Sequence, residues 1–331
     1  MRAVICEKWG GPGELKVAEV APPALADGAV RIRVMAAGVN FADTLMIAGH
    51  YQLKPPFPFS PGLEVAGEVT ECAPGITRTR VGERVLAFTG HGGFAEEAVT
   101  AEANVYPIPS AMDFVTAAAF PVVYFTSHFG LANLVRLVPG ETLLVLGAAG
   151  GVGLAAVEIA KRLGATVIAC AGGKEKTAVA RDHGADHVLD YRAEDIRQQA
   201  KALTGGLGVD AVFDPVGGEA FTAALRGTAP GGRILVVGFA SGTIPQIPAN
   251  ILLVKNVTVI GYSLGGHRKR DPELADRSLD EIFAWWAEGA LKPRISRTLP
   301  LADAAEALEA LAGRKSTGKI VLIPRIGDND P

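Results

Sequence analysis

Short apolar runs recur about every twenty residues through the middle of the chain, and most gaps between them carry a helical pattern. Glu141–Leu146 follows the turn Pro139-Gly140 and reads as a buried strand. Val152, Ala155, Ala156, Ile159 and Leu163 then share one helical face, with Gly164 as the stop. Further runs follow at Ala165–Cys170, His187–Leu189, Val209–Phe213, Arg233–Val237 and Val257–Ile260. Strands alternating with helices pair in parallel through right-handed crossovers, so residues 121–262 are expected to form one doubly wound sheet of Rossmann type.

The first 120 residues have another rhythm. Segments such as Ala29–Val34 and Glu64–Val69 alternate or run apolar between Gly/Pro turns, which predicts a β-rich, antiparallel body. The tail offers apolar helices near Leu279–Trp286 and Ala302–Leu311 and a last strand, Lys319–Ile323. A lone terminal strand needs a sheet to join, and the N-terminal body is the natural host. The expected plan is α/β, with residues 1–120 plus 263–331 as one domain and 121–262 inserted into it. The end, Gly327–Pro331, is expected to be loose.

Composition narrows the function. With 49% apolar and 20% charged residues the chain is too apolar to be disordered, and 331 residues suit two domains. A net charge of -3 without a Lys/Arg stripe argues against nucleic acid as a partner. No apolar run reaches the length of a membrane span, and the N-terminus has no h-region of a signal peptide. Cys6, Cys72 and Cys170 are too scattered for a metal knuckle or disulfide framework, so a reducing cytoplasm is the expected setting.

Gly147-Ala148-Ala149-Gly150-Gly151-Val152-Gly153 stands between the first strand of the alternating region and its helix. Gly150 would let backbone approach a pyrophosphate, Gly153 would let helix and strand pack closely, and the helix start would offer free amides at Gly151 and Val152. The register G-x-G-x-x-G puts Ala148 at its first glycine, so the fingerprint is imperfect; strand, turn, helix and strand nevertheless follow in the required order. The second strand ends in Cys170-Ala171-Gly172-Gly173-Lys174-Glu175-Lys176, without the acid that takes a ribose 2′-hydroxyl in NAD sites. Small residues with lysines suit a 2′-phosphate, which selects NADPH.

These motifs, with Ala37–Asp43, Pro61–Gly67, Val81–Val85, Gly184–Tyr191 and Asp214–Gly218, resemble the zinc-independent quinone oxidoreductases of the medium-chain dehydrogenase/reductase superfamily. The resemblance runs nearly end to end. It implies a GroES-like domain with an inserted Rossmann domain, an active site in the cleft between them, and a homodimer that pairs edge strands equivalent to Val257–Tyr262. It places Lys176, Tyr191 and Arg314 at the adenosine phosphate, with Gly173 where a small polar residue is common. It places Gly238 and Phe239 at the nicotinamide ribose and Thr126 at the carboxamide. Zinc-dependent members carry a cysteine near the position of Asn40 and a histidine just before the position of Glu64; this chain has Asn40 and Leu63 there, and the lobe of four cysteines is absent. No metal is therefore expected.

Without a Lewis acid the acceptor must already be electron-poor, so the resemblance implies hydride delivery to a quinone or similar conjugated carbonyl. Tyr51, Asn40 and Thr126 are the candidate groups at the acceptor. Tyr51 either donates a proton, as the matching tyrosine does in related enoyl-thioester reductases, or only packs over the substrate. Asn40 either fixes the carboxamide or caps a local turn. Two other readings stand beside this one: a 2-enoyl-thioester reductase, for which His267-Arg268-Lys269-Arg270 could meet acyl-CoA phosphates, and a non-catalytic NADPH-binding protein.

Overall fold

In the computed structural model, which describes residues 1–324, the chain divides into two compact units. Among the described residues, one comprises Met1–Val122 and 295–324; the other is Val123–Arg294.

The first unit is built on β3 (Ala29–Val39), after the two-stranded ribbon of β1 (Arg2–Ile5) and β2 (Lys16–Glu19). β4 (Glu64–Cys72), β5 (Arg84–Phe88), β6 (Glu97–Ala101) and β7 (Val105–Pro107) complete its N-terminal strands. Alternation along β3 buries Val30, Ile32 and Val34 and leaves Arg31, Arg33 and Met35 facing outward or half-covered, the period-two signature of a half-buried strand. β4 and β6 both pair antiparallel with β3, and at Val30–Arg33 the strand is paired with both of them.

The second unit holds six parallel strands: β8 (Thr142–Leu146), β9 (Thr166–Ala171), β10 (His187–Asp190), β11 (Val209–Asp214), β12 (Thr228–Val236) and β13 (Thr258–Gly261). Their order, β10-β9-β8-β11-β12-β13, is the doubly wound order that reverses beside the first strand. The two sides of β8 therefore diverge, and the turn leaving β8 opens at the switch point. Leu144, Leu146, Ile168, Val212 and Ile234 are fully buried, as apolar runs covered on both faces must be. The expected Rossmann sheet is present in this order.

The chain returns to the first unit through β14 (Ile295–Pro300) and β15 (Lys319–Ile323). β15 pairs antiparallel with β3 at Val39, Gly38 and Ala37, so the terminal strand joins the N-terminal sheet as its pattern required. The boundary expected at residue 262 lies elsewhere: 263–294 belongs with the second unit. The helix Pro272–Ala287 explains this. Asp271 caps it by accepting from the Leu274 N–H at 2.9 Å, and Ala275, Leu279, Ile282 and Trp285 are buried. His128 of the helix Pro121–His128 meets Ser278 at 2.7 Å and lies with its ring 4.9 Å from Trp285. Covering a leucine or isoleucine of this kind contributes about 1.5–3 kcal/mol, which an apolar helix face recovers only against another apolar surface. The expected loose tail, Gly327–Pro331, lies outside the described residues.

Candidate active site

The turn after β8 is shaped for close backbone approach. Gly147 takes φ 61, the left-handed region, and Ala148 does not. The conformation that the fingerprint assigns to its first glycine thus falls one residue earlier, which accounts for the alanine in that place. A Cβ at Gly153 would stand 2.3 Å from the Gly147 carbonyl oxygen, so only glycine fits there. Gly150 is the extended N-cap of the helix Gly151–Arg162, and its own N–H donates to Gly147 O at 3.0 Å. The amides of Gly151, Val152 and Gly153 form the helix's first turn and have no acceptor among the described residues. Such a turn is a ready anion site.

At the end of β9 the surface is bare. A Cβ on Gly172 would lie 2.6 Å from the Tyr191 hydroxyl oxygen, so that ring rests directly on glycine backbone. Gly173 takes φ 92 and caps the helix Lys174–Asp182, which carries half-buried Lys176 in its first turn. Asp190, at the end of the neighbouring strand β10, does not replace the missing ribose acid. Its Oδ1 is spent on the N–H groups of Gly173, at 2.9 Å, and Arg192, and these bonds hold its carboxyl below the usual range. Nothing in the local sequence pattern singles out Arg192. Its Nη1 lies 3.3 Å from the point where a Gly173 Cβ would stand, which adds a second cation to Lys176's neighbourhood. Only the fold of β10 back beside β9 reveals it.

On the far side of β8, Asp214 ends β11 fully buried, and its Oδ1 accepts from Val216 and Gly217 N–H groups at 2.7 and 2.9 Å. Burial raises its pKa. Gly217 takes φ 71, and Phe239 is seated 2.9 Å from where its Cβ would be. Gly238 donates to Asp214 O at 3.3 Å. Thr126 is buried in the helix Pro121–His128. These residues and the turn after β8 all belong to the second unit. Arg314 belongs to the first, at φ 54 just past the helix Ala304–Ala312.

The first unit holds a buried polar cluster at the start of the helix Phe41–Ile47. Asn40 Nδ2 donates to Glu64 Oε1 at 2.7 Å and more weakly to Gly38 O at 3.3 Å. Lys319 Nζ donates to Asn40 Oδ1, Val39 O and Glu64 Oε1 at 2.9, 2.8 and 2.6 Å. The other Glu64 oxygen accepts from Val122 N–H at 2.7 Å. Asp43 takes the Asn40 and Gly62 N–H groups at 2.8 and 3.1 Å; burial raises its pKa to about 7, against the lowering pull of these bonds and of Lys319. The ammonium fixes the Asn40 amide with its oxygen toward Lys319 and its nitrogen toward Glu64. Asn40 is thus held in a network and also opens the helix. The local pattern marks Lys319 only as the start of an apolar strand, and a lysine opening such a run is the one sequence signal of its part in this network.

Tyr51 is half-buried against the first unit's core. Burial, and secondarily the charge of Asp43, raises its pKa, so the hydroxyl keeps its proton at neutral pH. Among the described residues no group of three or more His, Cys, Asp or Glu side chains is placed to hold a metal ion, and no helix is long and apolar enough to cross a membrane.

A doubly wound sheet whose first helix opens on glycines with free amides, in a chain that also builds a β-rich unit from its two ends, is the plan of a dinucleotide-dependent oxidoreductase of the medium-chain class. Comparison with known proteins agrees. Residues 26–110 match the alcohol dehydrogenase GroES-like domain, and residues 151–280 match the family described as zinc-binding dehydrogenase. The quinone oxidoreductase-like protein 2 homolog of Nematostella vectensis is 42% identical over 97% of this chain and 88% of its own length. The quinone oxidoreductase of Pseudomonas aeruginosa is 35% identical over 96% of this chain and 97% of its own. The structure of the Escherichia coli quinone oxidoreductase complexed with NADPH superposes with a TM-score of 0.91 at 30% identity, covering 98% of this chain and 100% of that one. The chain belongs to the quinone oxidoreductase family of the medium-chain dehydrogenase/reductase superfamily.

Proposed function

We propose that the protein reduces a conjugated carbonyl compound, foremost a quinone, at the expense of NADPH and without zinc. The end of β9 carries this reading: bare Gly172 and Gly173, the exposed Tyr191 ring, and the cations Lys176 and Arg192, with Asp190 already spent on backbone. That surface suits a ribose 2′-phosphate, and the E. coli relative was solved with NADPH. When bound, NADPH supplies the hydride. Gly151, Val152 and Gly153 would cradle its pyrophosphate, Gly150 would admit it, Gly173, Lys176 and Tyr191 would hold the adenosine end, and Gly238, Phe239 and Thr126 would take the nicotinamide end.

At the acceptor, Tyr51 supplies an aromatic wall and one O–H donor. Asn40 acts by holding that part of the first unit in place, since its amide is committed to Glu64 and Lys319. A quinone accepts hydride and is protonated by water to the hydroquinone, so it requires no metal and no dedicated acid. A 2-enoyl thioester is the second reading, favoured by the Tyr51 hydroxyl, which stays protonated as a donor must. The two readings part on one experiment: NADPH oxidation in the presence of a chelator, with 9,10-phenanthrenequinone against crotonyl-CoA. Turnover of the quinone alone supports the first reading. Turnover of the thioester alone supports the second, and activity lost to the chelator and restored by zinc overturns the zinc-free assignment. Neither substrate turning over, with NADPH still bound, would leave a non-catalytic NADPH-binding protein.

We further propose a cytoplasmic homodimer paired through β13. This strand ends the six-stranded sheet with one edge unpaired, and Leu253 and Val254, on the helix Ala249–Lys255 that precedes it, are 77% and 76% exposed.

A further inference from the structure

Asp214 is a buried acid to which hydride transfer assigns no part. Strands β11 and β12 stop pairing at Asp214 and Val236, but the loops that leave them stay bonded to each other. The Val237 and Gly238 N–H groups donate to the Asp214 carbonyl at 2.8 and 3.3 Å, Ala240 N–H to Pro215 O at 3.0 Å and Ser241 N–H to Val216 O at 2.9 Å. Gly218 N–H returns a bond to Thr243 O at 3.0 Å. Side chains press the same two loops together. Phe239 lies on Gly217, whose Cβ would stand 2.9 Å from its ring, and Ser241 Oγ is 2.9 Å from where a Gly218 Cβ would be. On the other flank, Val216 Cγ2 is 3.1 Å from where a Gly147 Cβ would stand, so the double loop abuts the turn after β8.

Asp214 is the node of this arrangement. Its Oδ1 bends the first loop by taking the Val216 and Gly217 amides, and its carbonyl takes the first two of the second loop. A solvent-facing Asn, Ser or Asp makes such a turn with its spare polar atoms in water. Asp214 is 0% exposed, and its Oδ2 has no partner among the described residues. An unpaired carboxylate oxygen inside a protein opposes folding, so the turn alone does not account for it. Unfavourable local arrangements persist where they serve function, and what this one fixes is the seat of Gly238 and Phe239.

We propose that Asp214 is a positioning residue for the nicotinamide end of NADPH: by holding the Val216 and Gly217 amides and the start of the second loop, it sets Gly238 and Phe239 in place before the cofactor binds. The inference rests on the reading above that these two residues take the nicotinamide end. Loops ordered in advance remove an entropy loss that binding would otherwise have to offset.

The test compares NADPH with 2′,5′-ADP, which carries the adenosine end alone, by calorimetric titration of the full-length protein. Asp214→Ala leaves two amides without their acceptor. It should weaken NADPH binding about tenfold, the worth of one to two hydrogen bonds, and leave 2′,5′-ADP within about twofold of wild type. Asp214→Asn keeps an acceptor oxygen and should recover most of the loss. Gly217→Ala, which displaces Phe239 and leaves the carboxylate in place, should repeat the Asp214→Ala pattern. Amide hydrogen exchange on the wild type without ligand adds a measurement for which no variant has to fold. There the Val216, Gly217, Ala240 and Ser241 amides should already be protected, and NADPH should slow them little further. Equal weakening of both ligands by Asp214→Ala assigns the acid a merely structural part and overturns the proposal. So does exchange at these amides that stays fast until NADPH binds, which would mean that the loops order around the cofactor. Wild type that binds 2′,5′-ADP as tightly as NADPH sinks the placement of Gly238 and Phe239, and this inference with it. Wild type that binds neither ligand sinks the NADPH reading as a whole.

Discussion

Lys319 Nζ stands 2.6 Å from Glu64 Oε1, with the lysine side chain 4% and the glutamate 0% exposed. Strand β15 closes the first unit's sheet through β3, and this ion pair sits where that closure meets the start of the helix Phe41–Ile47. Two ions so deeply buried are tolerable only because each is fully hydrogen-bonded. The ammonium has three acceptors, and the carboxylate takes the ammonium, the Asn40 amide and the Val122 N–H.

Removing one ion should therefore cost far more than removing both. Lys319→Met should destabilise the protein by about 3–5 kcal/mol, because it strands a buried carboxylate. Lys319→Met combined with Glu64→Gln should regain most of that loss. Urea unfolding followed by circular dichroism gives both values; a double variant as weak as the single one would show that Lys319 matters through packing alone.

Lys176→Ala should weaken NADPH binding by roughly ten- to a hundredfold, since a charge-assisted contact to phosphate is worth about 1.5–3 kcal/mol. NADH, which lacks the 2′-phosphate, should bind as before. Arg192→Ala should act in the same direction. Fluorescence titration with both cofactors checks this, and equal losses for the two would assign Lys176 a structural part.

Tyr51→Phe should retain most quinone turnover, because the ring remains and water protonates the hydroquinone oxyanion. Were an enoyl thioester the substrate, protonation at carbon would need a placed donor, and the same change should cut crotonyl-CoA turnover about a hundredfold or more. Steady-state rates on both substrates separate the outcomes.

Acid stability should depend on His128. Burial lowers its pKa to about 4, with Nδ1 bonded to Ser278. Glu281 lies 3.2 Å from Nε2 but is half-exposed and hydrated, so its pull is outweighed. The folded state keeps this ring neutral while the unfolded chain protonates it near pH 6.5. Stability from this group is thus present above about pH 6.5 and drains away as the pH falls toward 4, by about 3 kcal/mol in all. His128→Gln should flatten that stretch of a Tm-against-pH curve; an unchanged slope would place the acid sensitivity elsewhere.

Much of this molecule is written in local pattern. The apolar runs of β8, β9, β11 and β12 and the glycines of the turn after β8 declare a Rossmann sheet because buried parallel strands and tight phosphate turns admit few residue types. The terminal strand announced its need of a host sheet in the same way. Gly147 and Ala148 show the limit of motif reading: the turn needed one left-handed residue, and the fingerprint placed it one position late.

Tertiary structure decided the rest. Residues 263–294 join the second unit because the buried face of the helix Pro272–Ala287 finds His128, some 150 residues away in sequence, and no local pattern names its partner. Arg192 reaches the end of β9 only because β10 folds back beside it. Asn40, a candidate contact for the cofactor when read alone, becomes part of a charged network once β15 brings Lys319 across a separation of 279 residues. Periodicity records which face of an element is buried. Hydrogen bonds and ion pairs act over about 3 Å in space, and only the folded chain sets that distance between residues far apart in sequence.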